Sequence, residues 1–227
     1  MKHKTLLLLF LLSTTIMLFG QDSTMIKETC EMIHGLKNKD DIDSQSKIFS
    51  KQMQTFFLSS STFNEGESTK QAVFRFGYKF IRELNRNCQE CIIPITISKT
   101  YLTDIESKFN KNEVDSLEQI LRTVSREKNI YIQIITIDDY YPYNSIEDFA
   151  KKYRAVWVEN TTFKNGTILI AVSFTKRQIR ISTSESAMNL LTDEECTETN
   201  DIITPYFKQG KCFEGLIEGV KNIETKI

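Results

Sequence analysis

An α/β sandwich with a mostly parallel sheet, preceded by a small all-α part, is the fold class that this 227-residue sequence predicts. Three observations predict it. From about Ile92 onward, short β-branched runs alternate with amphipathic helical stretches, the order that places parallel strands side by side through crossover helices. Residues 130–137 and 167–173 are almost continuously apolar, as strands covered on both faces are. Upstream of Ile92, apolar residues recur at helical rather than alternating spacing.

The chain opens with the parts of an export signal. Lys2, His3 and Lys4 make a basic start, residues 6–19 an apolar run, and Gly20 a small residue for cleavage. That run is shorter than the ~20 residues that cross a bilayer. Residues 1–20 are therefore expected to be a signal peptide. The protein is expected to be exported, periplasmic or secreted, with no membrane span after cleavage.

Residues 22–91 read as a helical, Cys-containing N-terminal part. Met25, Cys30, Ile33 and Leu36 share one helical stripe; Ile48, Met53, Phe56 and Phe57 form another; Phe74, Tyr78, Ile81 and Leu84 a third. A Ser-rich break over 59–68 reads as a loop. So few aliphatic residues leave room for a covalent staple. In an oxidising compartment a disulfide is permitted, and a bridge from Cys30 to Cys88 or Cys91 is the expected one. The Cys88-x-x-Cys91 spacing resembles a redox or zinc motif. A redox motif expects a strand before it and a helix after it, and here that order is reversed. A four-Cys zinc site needs a second pair, which the sequence lacks.

The second part is read in order. Residues 92–98 are a candidate strand. In the helix over 113–128, Val114, Leu117, Ile120, Leu121 and Val124 share one face, and Asn129 stops it. Residues 130–137 are a buried strand, and residues 138–143 turn the chain. Ser145 caps a helix over 146–158, with Asp148 three residues on in an approximate capping box. Asn165-Gly166 is a turn signal before the strand 167–173. Residues 178–183 alternate polar and apolar, as an exposed antiparallel strand does. Thr192 caps a helix over 193–203 that Pro205 ends, and residues 212–223 form the last helix. The predicted order is β-α-β-α-β-β-α-α.

Composition excludes several function classes. Lys plus Arg is 29 and Asp plus Glu is 30, so the formal net charge of −1 offers nothing to a polyphosphate, and no nucleic acid is expected as a partner. With His3 and His34 as the only histidines, imidazole acid–base chemistry has little to work with. Nucleotide-cradling glycine motifs and the Gly-x-Ser-x-Gly nucleophile elbow are absent from the sequence.

Several segments together resemble the TPM domain family of thylakoid-lumen acid-phosphatase-like proteins and their bacterial relatives. They are Leu102-Thr103-Asp104, Ile146-Glu147-Asp148-Phe149-Ala150 with Trp157, and Asn165-Gly166-Thr167-Ile168-Leu169-Ile170. Further along come Arg177-Gln178-Ile179-Arg180-Ile181, Leu191-Thr192-Asp193, Pro205-Tyr206-Phe207-Lys208-Gln209-Gly210, and Gly215-Leu216 with Gly219-Val220. They keep family order over residues 97–225, the α/β domain. The resemblance implies a three-layer α/β/α sandwich around a short sheet. It also implies either acid phosphatase activity, divalent-cation binding, or assistance to membrane complexes.

The hairpin formed by strands 167–173 and 178–183 returns to its starting edge, so Lys164, Asn165 and Gly166 lie near residues 183–193. In the family this edge is acidic and can supply oxygen ligands to a hard cation. Here Lys164 stands where the family has Asp, Ser184-Glu185-Ser186 where it has a Gly-rich turn, and Met188 where it has Glu. An ammonium and a thioether do not ligate Mg²⁺ or Ca²⁺, so no metal and no cofactor is expected. Lys164 is expected to fill the cation's place, paired with Glu185 or Asp193. Asp104 and Asp193 remain as the catalytic candidates of the family, with Lys164, Asn165, Gly166 and Glu185 as ligand-edge candidates. Asp138 and Asp139, at the end of a buried strand, and the cations Lys176, Arg177 and Arg180 offer further polar chemistry. The expected function is a non-catalytic interaction module whose partner is an envelope or periplasmic protein, in cell-envelope assembly or maintenance. The other reading is a weak acid phosphatase assisted by Ca²⁺ or Mg²⁺.

Overall fold

The structure, a computed structural model, describes residues 24–36, most of 44–54, 69–88, 100–141, 143–158 and 162–227. The expected signal segment, the loop over 59–68, the strand over 92–98, Cys91 and the side chain of Trp157 lie outside the described residues. The chain divides into two compact units, Met1–Thr62 with Phe76–Thr96, and Phe63–Arg75 with Ile97–Ile227.

In the first unit the described residues are mainly helical. Residues 24–34 form α1, helical residues recur over 44–54 (α2), and α3 runs Thr69–Asn87, its residues from Phe76 onward belonging to this unit. Met25, Ile33, Tyr78, Phe80, Ile81 and Leu84 are buried, which agrees with the predicted stripes on α1 and α3. Thr29 is also fully buried because its hydroxyl donates to the Met25 carbonyl within its own helix (2.7 Å). The expected disulfide is not formed between Cys30 and Cys88, and the alternative bridge to Cys91 lies outside the described residues.

The second unit is built on a four-stranded sheet in the order β1-β2-β3-β4. The strands are β1 Leu102–Asp104, β2 Tyr131–Thr136, β3 Thr167–Ser173 and β4 Gln178–Thr183. β1, β2 and β3 are parallel and β4 returns antiparallel, with Tyr131 opposite Thr167 and Ser173 opposite Gln178. Between and after them run α4 Lys111–Glu127, α5 Ile146–Val158, α6 Glu185–Met188, α7 Asp193–Lys208 and α8 Cys212–Lys226. All of β2 and β3 is buried, which is why their sequences lack the alternation of a half-exposed strand.

Each strand sends alternate side chains to opposite layers. Leu102, Ile132, Ile134, Ile168, Ile170, Val172 and Ile181 form one core with Leu117 and Leu121 of α4, Cys196 of α7, and Leu216, Val220 and Ile223 of α8. On the other face α5 packs on β3 and β4, with Phe149, Ala150 and Tyr153 buried. The result is the three-layer sandwich. Burial holds the Cys196 thiol up at about 11, with Asp193 adding to the rise, so this thiol is a core side chain at neutral pH.

Caps define the helix starts. Asn110 caps α4 and Thr192 caps α7, each in a reciprocal box with Glu113 and Glu195. Ser145 caps α5, its hydroxyl accepting from the Asp148 amide at 3.0 Å. Asn129 ends the α4 segment at φ 52, the left-handed conformation that Asn tolerates.

The structure corrects the reading in two places. β1 is the Leu102-Thr103-Asp104 segment, where the sequence reading placed no strand. Its three residues are too few for an apolar run to announce them. Second, α7 does not stop before Pro205 but continues to Lys208. Proline in a helix interior costs about 3 kcal/mol. Packing against α8 offsets that cost: a β-carbon on Gly215 would lie 2.8 Å from Tyr206 Cβ, and one on Gly219 would lie 2.4 Å from Ile203 Cδ1. The two helices therefore touch on either side of the proline.

Gly219→Val should lower stability by about 1–3 kcal/mol, because fully buried Ile203 has no room to retreat. Urea unfolding checks this, and an unchanged midpoint would show that α7 and α8 separate at little cost. A second expectation concerns acid. The Thr192 backbone N–H, then its hydroxyl and Lys226, hold the Glu195 carboxyl below its usual 4.5. A depressed folded-state pKa contributes stability above the unfolded value, which is lost as pH falls through the folded one. Glu195→Gln should therefore flatten the loss of stability below about pH 4.5, as read by acid unfolding.

Candidate functional site

The sheet has two polar edges, and the parallel register assigns each candidate to one of them. Asp104 ends β1 opposite Thr136, at the C-terminal edge of the parallel strands. Lys164, Asn165, Gly166 and Ser184 flank Thr167 and Thr183, at the other edge. Five residue steps from Tyr131 to Thr136 separate the edges by about 17 Å. The structure thus brings Lys164, Asn165, Gly166 and Glu185 to one edge and leaves Asp104 at the opposite one. Asp193 follows α6, two residues after buried Leu191, and is exposed in the first turn of α7.

At the C-terminal edge the carboxylates act as anchors. Asp104 is 8% exposed, and both of its oxygens accept hydrogen bonds: Oδ1 from the Thr136 hydroxyl at 2.5 Å and Oδ2 from the Phe109 amide at 2.9 Å. These bonds fold the chain after β1 back across the end of β2. The crossing is fixed by the Ile105 and Glu106 amides, which donate to the Thr136 carbonyl (3.3 Å) and hydroxyl (3.1 Å). Ser107 takes φ 54 to complete the bend. Glu106, which the sequence reading passed over, then reaches the β3–β4 turn. Its carboxylate accepts from the Phe174 amide (2.8 Å), the Thr175 amide (2.9 Å) and the Thr175 hydroxyl (2.7 Å). Phe109 stacks edge-on against Phe174, which also meets Phe207. In open α/β sheets this edge is where ligands commonly bind; here a laced loop covers it. Beside the loop, Asp139 pairs with Lys176 at 3.4 Å, and the Lys176 ammonium lies 4.9 Å from the centre of the Tyr140 ring. Arg180 pairs with Glu147 of α5 at 3.4 Å.

The N-terminal edge is closed by backbone bonds. The Asn165 side chain donates to the Lys128 carbonyl (2.8 Å) and its amide to the Asn129 carbonyl (2.9 Å), tying this turn to the end of α4. Gly166 has φ 87, and a β-carbon there would lie 2.2 Å from Ser184 Oγ. That hydroxyl accepts from the Thr167 amide (2.9 Å) and the Ala187 amide (3.4 Å), joining β3 to the start of α6. Ser184 thus starts the short capped helix α6. Lys164 is exposed, and among the described residues no ion pair joins it to Glu185 or Asp193. The expected pairing is corrected: the turn holds Lys164 in water, where a lone ammonium is best solvated. Glu185 is exposed and instead acts on Arg154. Burial lowers the Arg154 pKa and Glu185 partly restores it, while Arg154 Nε donates to the Ser182 hydroxyl at 3.0 Å.

Beneath α5 at this edge, Tyr131, Gln133, Arg154, Thr167, Ile168 and Leu169 line a narrow crevice with no room for a water molecule. Gln133 Nε2 and Thr167 Oγ1, each in a residue 2% exposed, have no hydrogen-bond partner. A buried donor left unpaired costs about 1–3 kcal/mol. Gln133 was the available signal, a lone amide inside a β-branched run that reads as buried. Burial also raises the Tyr131 phenol, whose hydroxyl donates to the Thr100 carbonyl at 2.7 Å.

Comparison with known proteins follows the same boundaries. A family model for the TPM domain matches residues 102–226. The fold is similar to the N-terminal domain of a protein from P. gingivalis, solved by NMR, with a TM-score of 0.50 and 22% identity over 56% of this chain and 82% of that one. The N-terminal domain of a Corynebacterium glutamicum protein matches with a TM-score of 0.45 and 12% identity over 60% and 84% of the two chains. A protein from the psychrophilic bacterium Bizionia argentinensis matches with a TM-score of 0.44 and 23% identity over 54% and 83%. At 22% identity, the first of these shows the fold alone. No curated protein matches the chain.

If Asp104 and Glu106 are anchors, Asp104→Asn and Glu106→Ala should each cost about 1–3 kcal/mol. Glu106→Ala should also speed amide exchange at Phe174 and Thr175. Wild-type unfolding midpoints together with unchanged exchange would remove the anchoring role.

Proposed function

Since the chain belongs to the TPM domain family, with 102–226 as its family domain, we propose that it is a non-catalytic member, an exported interaction module that binds a protein of the cell envelope. One observation carries this reading. Asp104 spends both carboxylate oxygens on Thr136 and Phe109, about 17 Å along the strands from the Lys164–Gly166 edge. Metal-assisted phosphoryl chemistry needs carboxylates converging on one ion. Lys164 and Met188, standing where the family has acids, remove two of the oxygen donors such an ion would use. Export rests on the basic and apolar pattern of residues 1–20.

Hydrolysis of a generic phosphomonoester by the purified chain, in Mg²⁺, in Ca²⁺ and in EDTA, tests the reading against an Asp104→Asn, Asp193→Asn double variant. The expected result is no turnover above that variant in any condition. Metal-dependent turnover that the double variant loses would establish the phosphatase reading instead.

A further inference from the structure

The helical unit holds a cluster that the family domain does not involve. Cys30 and His34 lie four residues apart on α1, so both point from one helix face. Cys88 follows the last residue of α3, where its amide donates to the Leu84 carbonyl at 2.8 Å. Cys30 Sγ lies 3.8 Å from His34 Nε2 and 4.0 Å from the Asn87 carbonyl oxygen, which places it beside the end of α3. The ligand atoms of Cys30, His34 and Cys88 all lie within 4.8 Å of one another.

That spacing is within about 1 Å of what a tetrahedral ion requires. Bonds of about 2.3 Å to sulfur and about 2.0 Å to nitrogen put neighbouring ligand atoms roughly 3.5–3.8 Å apart. The set is graded in exposure: Cys88 is 1% exposed, Cys30 half-buried and His34 exposed. A thiolate fixed in the core and an imidazole at the surface would together anchor an ion at the rim of this unit. Two thiolates and an imidazole are a soft donor set, which selects zinc-like ions over Mg²⁺ or Ca²⁺. From this geometry we infer that Cys30, His34 and Cys88 supply three ligands of a site for a thiophilic ion of the Zn²⁺ class. The site joins α1 to the end of α3, the staple that sequence assigns to a disulfide. Binding displaces the thiol protons, so two protons leave as the ion enters with neutral His34.

The test uses the full chain, purified under reducing conditions and stripped with EDTA. Zn²⁺ is titrated by calorimetry, and Co²⁺ by absorbance, where thiolate ligation gives a charge-transfer band. One equivalent should bind, with the band present, and bound Zn²⁺ should shield Cys30 and Cys88 from alkylation. Cys30→Ser and His34→Ala should each weaken binding by tenfold or more. His34 is exposed, so its substitution leaves the packed helices intact, as circular dichroism would verify. Wild-type affinity in His34→Ala would overturn the assignment, whichever cysteines then held the ion. So would a reduced chain that takes up neither metal.

Discussion

The parallel pairing of β2 with β3 is the constraint on which the α/β unit depends. Every residue of both strands is buried, so neither face of the pair can meet water. Helices must cover both sides, which demands α4, α7 and α8 on one and α5 on the other. The short partners β1 and β4 then protect the edges of this pair. Polar chemistry is pushed to the ends of the strands, where backbone and side chains can be satisfied without entering a core.

Those ends are used differently. At the C-terminal edge, Asp104 and Glu106 use their oxygens to lace the chain leaving β1 across β2 and onto the β3–β4 turn. A carboxylate accepting several hydrogen bonds is a strong anchor, and the anchors here hold a loop over the region that open α/β sheets usually present to ligands. At the N-terminal edge, Gly166 and Ser184 bring β3 and α6 close enough for one hydroxyl to serve two amides. That close approach also explains why glycine is required at 166. Hydrogen-bonding capacity left over at this edge is found one layer down, in Gln133 and Thr167 beneath α5.

Cys30, His34 and Cys88 converge where the first and third helices meet at the Asn87 carbonyl. In the α/β unit, burial raises the Cys196 and Cys212 thiols.

The sequence by itself determined the architecture of the α/β unit. Continuous β-branched runs specify buried strands, the alternation of 178–183 specifies a half-exposed return strand, and Ser145 and Thr192 mark helix starts through local hydrogen bonds. Each of these signals acts within a few residues, and so can be read without knowing what lies across the fold. The position of β1 could not be read this way, since a three-residue strand carries no period. Nor could the passage of α7 through Pro205, which depends on the close approach of α8. The site followed the same rule. Asp104, Lys164 and Asp193 were visible as residue types, but their edges were decided by a parallel register that is a long-range property. Cys30 and His34 were legible as neighbours on one helix face. Their meeting with Cys88 came only from the packing of helices more than fifty residues apart in the chain.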